Sequence, residues 1–441
     1  MKTRKMKDSG VEWLGSVPEG WPVERLQWHL EEVAVKNDPV KTTNVLSLTI
    51  DRGVIPYSEK GNVGNKSKED VSQYKIAYPE TIVANSMNIL IGAVGLSKYE
   101  GCVSPVYYVF RARHNACIEF FNYLFQMPAF QKELRRFANG ILEIRLRVSA
   151  DDILKRRLAI PTIPEQRAIA AYLDKRCAKI DAMVADAKKL IEEYKQWKAS
   201  VIFEAVTGKV GVDGRCRCRK MHDSGVDWIG QVPEGWVFYP IKRFFSFFKG
   251  LNITKADLTE SGIPVVSYGQ IHAKNNTGTH LQDELLRHVP QHYMESCPES
   301  RLKENDFVFA DTSEDLEGLG NCAFVDRSDA VMAGYHTIVL RPVKNAHFKY
   351  LAYLFRADCW RRQMREIAFG IKVYSLSQRM LRQCSLVLPP LPEQRAIAAY
   401  LDRKCAAIDR VVAEKEGLIA DLERYKKSLI FECVTGKREV A

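Results

Sequence analysis

One block of eleven residues occurs twice in this chain. Pro164-Glu165-Gln166-Arg167-Ala168-Ile169-Ala170-Ala171-Tyr172-Leu173-Asp174 returns unchanged as Pro392 to Asp402. The shift is 228 residues, and it holds without a gap from there to Thr207-Gly208-Lys209 and Thr435-Gly436-Lys437. A second pair has another shift. Met6 to Gly15 returns as Met221 to Gly230, 215 residues later. The 13-residue difference lies in the stretches between the paired motifs, about 22–163 and 237–391, which are unlike each other. A repeat of this kind restricts the chain to two copies of one architecture. The fixed segments do one job twice. The variable segments do one kind of job with two specificities.

The fixed segments read as long helices. Pro164 opens the first where its missing N–H costs nothing, and Glu165 sits in the first turn. Leu173, Ile180, Ala187, Tyr194 and Val201 recur every seven residues, flanked by Cys177, Val184 and Ile191. Met183, Leu190 and Trp197 form a third row. The second copy gives Leu401, Ile408, Leu422 and Leu429, with Cys405, Val412 and Ile419 alongside. A sustained 3.5-residue period predicts a coiled-coil seam. The helix-pairing set is Leu173, Ile180, Val184, Ile191, Leu401, Ile408, Val412 and Ile419. Gly208 and Gly436 supply the stops. Lys415 in the seam and Gly417 weaken the second copy. The predicted division is 1–163 globular, 164–206 helix, 207–221 basic glycine-containing linker, 222–391 globular, and 392–441 helix and tail. The chain's end resembles the start of the linker and its beginning resembles the linker's finish, so a near-circular, pseudo-two-fold arrangement is expected.

At 441 residues with 46% hydrophobic and 27% charged residues, each half can bury a core. No apolar run reaches the roughly 18 residues of a membrane span. Met1 to Lys7 is basic and lacks the apolar stretch of a secretory signal. Eleven cysteines without framework spacing fit reduced thiols and a cytoplasmic location. The net charge of +11 hints at a polyanionic partner. Its distribution says more. Residues 341–382 hold ten positive charges against two negative, and residues 111–157 hold ten against five. The same polarisation in both variable segments favours phosphate contact over a merely solvated helix face.

Catalytic signatures are missing. The chain has no phosphate-binding G-x-x-x-x-G-K-[ST] loop, no G-x-G-x-x-G, no G-x-S-x-G and no Asn-Pro-Pro-aromatic run. His272, His280, His288, His292 and Cys297 cluster loosely but fit no zinc template. Asp311 to Asp315 reads as an acidic loop or cap rather than a cation site.

The arrangement resembles the specificity subunit of Type I restriction–modification enzymes. Met6 to Gly15 with Val17-Pro18-Glu19-Gly20-Trp21, repeated over Met221 to Trp236, is similar to that family's lead into a target-recognition domain. Pro161 to Gln166 and Leu388 to Gln394 are similar to its junction from domain into helix. Asn85-Ser86-Met87-Asn88 with Gly92 to Tyr99 and Val103-Ser104-Pro105 resembles one recognition-domain type. Lys303 to Asp315 with Ala333 to Thr337 resembles another. The resemblance implies an α/β (α+β) fold: two globular target-recognition domains joined by two long antiparallel coiled-coil helices in a pseudo-two-fold tandem repeat. It implies a non-catalytic DNA reader, each domain binding one half of a bipartite target. Two modification subunits, adenine-N6 methyltransferases, would clasp the helices, and restriction subunits would join them. S-adenosylmethionine, ATP and Mg2+ would belong to those partners, with no cofactor or metal in this chain. The expected DNA-contacting residues are Lys98, Tyr99, Arg111, Arg113, Arg135, Arg136, Gly140, Arg145 and Arg147 in the first domain. In the second they are Lys274, Arg361, Arg362, Gly370, Lys372 and Tyr374. Gly140 and Gly370 fall where the family has a glycine-led loop near DNA, the first copy being two residues longer there.

Two other readings remain open from the sequence. One is a protein-interaction scaffold on a coiled-coil spacer, which salt-insensitive binding would favour. The other is a self-contained restriction enzyme, disfavoured by the missing motifs.

Overall fold

The heptad rows become two helices of 44 residues each, Ile163–Val206 and Leu391–Val434. At 1.5 Å per residue each is about 66 Å long. The computed structural model describes residues 4–50, 52–61, 70–140, 146–211, 220–225, 229–368, 370 and 373–440. It divides into two compact units, Met1–Lys188 with Glu416–Ala441, and Lys189–Lys415. This cuts across the sequential division, because each long helix is shared between the two units.

In the first unit the opening half of the first helix runs antiparallel to the closing half of the second. Lys426 Nζ lies 2.6 Å from Asp181 Oδ1. Leu173, Cys177, Ile180 and Val184 share a core with Leu429, Ile430, Cys433 and Val434. In the second unit the corresponding ion pair is Lys198 to Asp409, at 2.7 Å. Val201, Ile202 and Ala205 there share a core with Ile397, Leu401 and Cys405. The 228-residue shift carries Asp181 onto Asp409 and Lys198 onto Lys426. One surface of the repeat is therefore used twice. Of the predicted pairing residues, Leu173, Ile180, Val184, Ile191, Leu401 and Ile408 are buried, while Val412 and Ile419 are half-buried. The third row stands in solvent: Met183 is 50%, Leu190 39% and Trp197 48% exposed. Leu418 and Tyr425, the shifted equivalents of Leu190 and Trp197, are 40% and 48% exposed.

Each unit carries a four-stranded antiparallel sheet of the same order. In the first it is Leu30–Glu32, Tyr107–Ala112, Ile82–Asn85, Val94–Leu96. In the second it is Phe245–Lys249, Thr337–Pro342, Phe307–Ala310, Cys322–Phe324. Alternate strand residues bury aromatic rings against two helices, Ile118–Gln126 and Pro128–Arg135 in one unit, Phe348–Arg356 and Asp358–Ile367 in the other. Phe125 packs edge-on to Phe130 at 5.6 Å, and their counterparts Phe355 and Trp360 meet at 4.4 Å. The units differ beside this shared sheet. The first adds the hairpin Leu46–Thr49 with Gly53–Pro56, and the second adds a sheet of Arg287–Val289, Ile263–Val266 and Met332–Ala333.

The repeated Pro-Glu-Gln motif is a joint. The buried Gln166 amide accepts from Cys117 N–H (2.9 Å) and donates to the Pro161 carbonyl (2.9 Å). Gln394 does the same with His347 N–H (2.9 Å) and Pro389 (2.8 Å). Glu165 accepts from Trp21 Nε1 at 3.1 Å, and Glu393 from Trp236 Nε1 at 3.3 Å. Tyr123 donates to Asp174 and Tyr353 to Asp402, both at 2.7 Å. The helix stops dock on the repeated lead-in hairpins. Gly208 (φ +72°) leaves no room for a Cβ beside Pro233 and Trp236, nor does Gly436 (φ +71°) beside Pro18 and Trp21. These contacts give the Val-Pro-Glu-Gly-Trp and Thr-Gly-Lys repeats a physical reason.

Candidate nucleic-acid interface

The third strand in each sheet order, Ile82–Asn85 or Phe307–Ala310, is its central strand, and in the first unit one end of it lies toward the long helix. In the first unit, Thr81, at the start of Ile82–Asn85, lines an open groove with Arg167, Ala170 and Asp174 of the helix. The other end, Asn85-Ser86, faces the glycine-led loop. Asn139 N–H bonds to Arg147 O (2.8 Å) and Arg147 N–H to Asn139 O (2.9 Å), closing that loop at its base. Val148 N–H then donates to Ser86 O at 3.3 Å. Arg147, exposed, reaches Met87 Sδ at 3.8 Å.

The second unit repeats this. Thr312 and Ser313, just past Phe307–Ala310, pair with Ser375 and Tyr374. Leu376 N–H donates to Asp311 O at 2.7 Å. The loop led by Gly370 is thereby tied to the same end of the central strand as the loop led by Gly140.

The structure divides the expected contact residues. Arg147 and Gly140 lie at the far end of the first sheet, and Arg135 and Arg136 close the helix Pro128–Arg135 that precedes them in the chain. Arg136 also pairs with Glu12 at 2.8 Å. Lys98, Tyr99, Arg111 and Arg113 do not join them. Register puts Phe110 opposite Ile82 and Leu96 opposite Ile82, so these four lie past the helix-side end of the central strand. Four residues of strand, about 13 Å, separate the two groups. Arg111 bonds to Glu31 and holds its carboxyl below the usual range, with Arg113 3.2 Å from the same carboxylate.

In the second unit Gly370 and Tyr374 share the far end, and Lys274 is exposed two residues after His272, whose ring bonds to Thr312 O. Arg362 is exposed and pairs with Glu366 one turn on, at 3.0 Å. Arg361, also expected at the DNA, does not lie in solvent beside Arg362. Its guanidinium turns inward, bonds to Asn321 Oδ1, and burial pushes its pKa down to about 10. Asn321 Nδ2 donates to His272 Nδ1 (3.0 Å), and His272 Nε2 donates to Thr312 O (2.7 Å). Arg361 thus supports the surface from beneath. Arg145 and Lys372 lie outside the described residues.

Sequence reasoning missed Tyr268, Tyr335 and His336. Their rings meet at 5.5 to 6.0 Å beside Asp311. The available signal was Tyr335-His336 within the stretch already singled out, 333–337. Among the described residues, no group of three His, Cys, Asp or Glu side chains could hold a metal ion. No helix among them is long and apolar enough to cross a membrane.

Comparison with known proteins bears on the family and the fold. The model of the Type I restriction modification DNA specificity domain matches residues 27–193 and 233–420. The specificity subunit of the type I restriction enzyme EcoKI from Escherichia coli K12 is 24% identical over 212 residues, 47% of this chain and 44% of that protein. The MjaVIII specificity subunit of Methanocaldococcus jannaschii is 22% identical over 291 residues, 64% of this chain and 62% of its own length. The matched part therefore spans less than two thirds of these relatives. Among solved structures, a chain from work on complex assembly and conformational transition of the type I R-M system covers 95% of this chain, with 98% of its own covered. Its TM-score is 0.70 at 16% identity. The HsdS subunit from Thermoanaerobacter tengcongensis covers 96%, with 98% of its own covered, at a TM-score of 0.52 and 16% identity. With the specificity-domain model matched twice along its length, this chain belongs to the type I restriction–modification DNA specificity family.

Proposed function

We propose that this chain reads a bipartite duplex target, one half with each globular domain, and does no chemistry itself. The observation that carries the reading is the doubled far end. Two domains of different sequence tie a glycine-led loop to the same end of the same central strand, with Arg147 there in the first and Tyr374 in the second. A cation such as Arg147 positions phosphates, while neighbouring polar groups read base edges. In this reading the long helices set the gap between half-sites. Half-sites one turn apart are about 34 Å from centre to centre, well within the length of such a helix.

Two modification subunits dock on the helices in the same reading. The exposed row Met183, Leu190 and Trp197 supports this, because the positions of Leu190 and Trp197 are again apolar and open in the second copy, as Leu418 and Tyr425. The modification subunits hold S-adenosylmethionine and methylate adenine N6 after the base leaves the stack. Restriction subunits with ATP and Mg2+ complete a cytoplasmic assembly.

The test is adenine methylation mapping in a host carrying this chain with its neighbouring modification subunit, beside a host lacking the chain. A bipartite N6-methyladenine motif of fixed gap, lost without the chain, is expected. Absence of any motif while all subunits are made and assembled would refute the reading.

A further inference from the structure

We propose that His336, oriented by Asp311, reads an amino-bearing base edge in the half-site of the second domain; this rests on the reading of the two domains as DNA readers. The two domains share a backbone frame. Ser86, one residue past the first central strand, donates its N–H to Val106 O (3.3 Å) and accepts from Val148 N–H (3.3 Å). Asp311, one residue past the second, donates to His336 O (3.1 Å) and accepts from Leu376 N–H (2.7 Å). Val106 and His336 therefore hold equivalent places, as do Ser86 and Asp311. The frame is the same and the side chains are not. That is the pattern needed to read two different half-sites from one scaffold.

His336 is built to present its ring. Its φ is +55°, a conformation that side-chain-bearing residues rarely adopt. The loop around it is pinned on both sides. Gly334 N–H bonds to Val266 O (2.7 Å) and Leu251 N–H to Ala333 O (2.9 Å). Thr337 Oγ1 donates to Gly334 O at 2.7 Å. The imidazole remains 57% exposed. The Tyr268 ring meets it edge-on at 5.5 Å and also meets Tyr335 at 5.6 Å, which limits its swing.

The tautomer follows from the carboxylate. Nδ1 lies 3.1 Å from Asp311 Oδ1, and a carboxylate only accepts, so Nδ1 carries the hydrogen. In the neutral ring Nε2 is then a bare acceptor. Its complement in the major groove is an exocyclic amine, adenine N6 or cytosine N4. Val106 offers only methyl groups at the same place, which suit a thymine methyl.

The test uses the full-length chain and a random duplex library, followed by binding to single base-pair substitutions of the selected site. His336→Gly keeps the positive φ without strain and removes the ring. It is expected to lower discrimination at one A·T or G·C pair of one half-site by about 5- to 100-fold, with the other half unchanged. Asp311→Ala should broaden preference at that same pair. Circular dichroism melting confirms that both variants fold. Unchanged discrimination at every pair, or an equal loss of affinity for all sequences, overturns the assignment of His336 alone. A wild-type chain that enriches no sequence overturns DNA reading and this inference together.

Discussion

Replacing Gln166 by Leu tests whether the repeated motif is a structural joint. The amide is fully buried and makes two bonds, from Cys117 N–H and to Pro161 O. Leucine fills a similar volume but satisfies neither group. Each stranded backbone group costs about 1–3 kcal/mol, so the pair costs about 2–6 kcal/mol. Burying the leucyl chain in place of an amide returns about 1–2 kcal/mol, and the net loss spans about 0–5 kcal/mol with a midpoint of about 2.5 kcal/mol. For a unit of this size each kcal/mol moves Tm by about 2–4 °C, so a fall of about 5–10 °C is expected at that midpoint. Gln394→Leu should cost about as much, because its two bonds go to structurally equivalent backbone groups, His347 N–H and Pro389 O. Differential scanning calorimetry of the full chain is the assay, with each variant lowering the transition of its own unit. If both leucine variants melt within about 1 °C of wild type, the bonds are not a joint and the reasoning fails.

Further outcomes follow from burial and charge. Leu173→Asp with Leu401→Asp places two carboxylates at fully buried seam positions. Each should cost about 4 kcal/mol or more and separate the helices, and a normal helical melting curve would refute the seam. Burial pushes the thiols of Cys322, Cys359 and Cys384 up to about 12 and that of Cys405 to about 11. These four should resist iodoacetamide in the folded chain at pH 8 while half-buried Cys297 reacts, as peptide mass mapping can check. Arg147→Ala should weaken binding to all duplex sequences alike and lower the slope of log K against log salt by about 0.9. A slope equal to wild type would remove Arg147 from the phosphate set.

Much of the frame was legible because it is local or repeated. The heptad rows marked the helices, and Gly208 and Gly436 marked their ends. The doubled Pro-Glu-Gln motif marked the joints, although its chemistry needed the partners: nothing in the chain near Gln166 points to Cys117. The candidate site was less legible. Arg111 and Arg147 belong to one basic stretch in sequence yet lie past opposite ends of a four-residue strand, because register, not composition, decides which end a residue joins. Arg361 looked like its neighbour Arg362 but sits on the inward face of its helix, one residue and about 100° away. Met183, Leu190 and Trp197 kept seam spacing without reaching the seam, since period fixes a face and not its occupant.

The two kinds of contact are also separated in space, and this bears on how such a chain can change what it reads. The joints—Gln166 with Cys117, Trp21 with Glu165, Tyr123 with Asp174—gather where each domain meets its helix. Ser86, Val106 and Val148, or Asp311, His336 and Leu376, meet at the far end of the central strand. Effects of substitutions more than about 7–10 Å apart without shared partners add independently. At the far end, moreover, the bonds that hold the frame are made by backbone N–H and C=O groups, which any residue except proline supplies. Side chains at positions 106 and 336 can therefore change without stranding a buried partner. The joint has no such freedom, because its bonds come from side chains. A chain built this way keeps letter-for-letter identity at the junctions and lets the reading surface diverge, which is the pattern its two halves show.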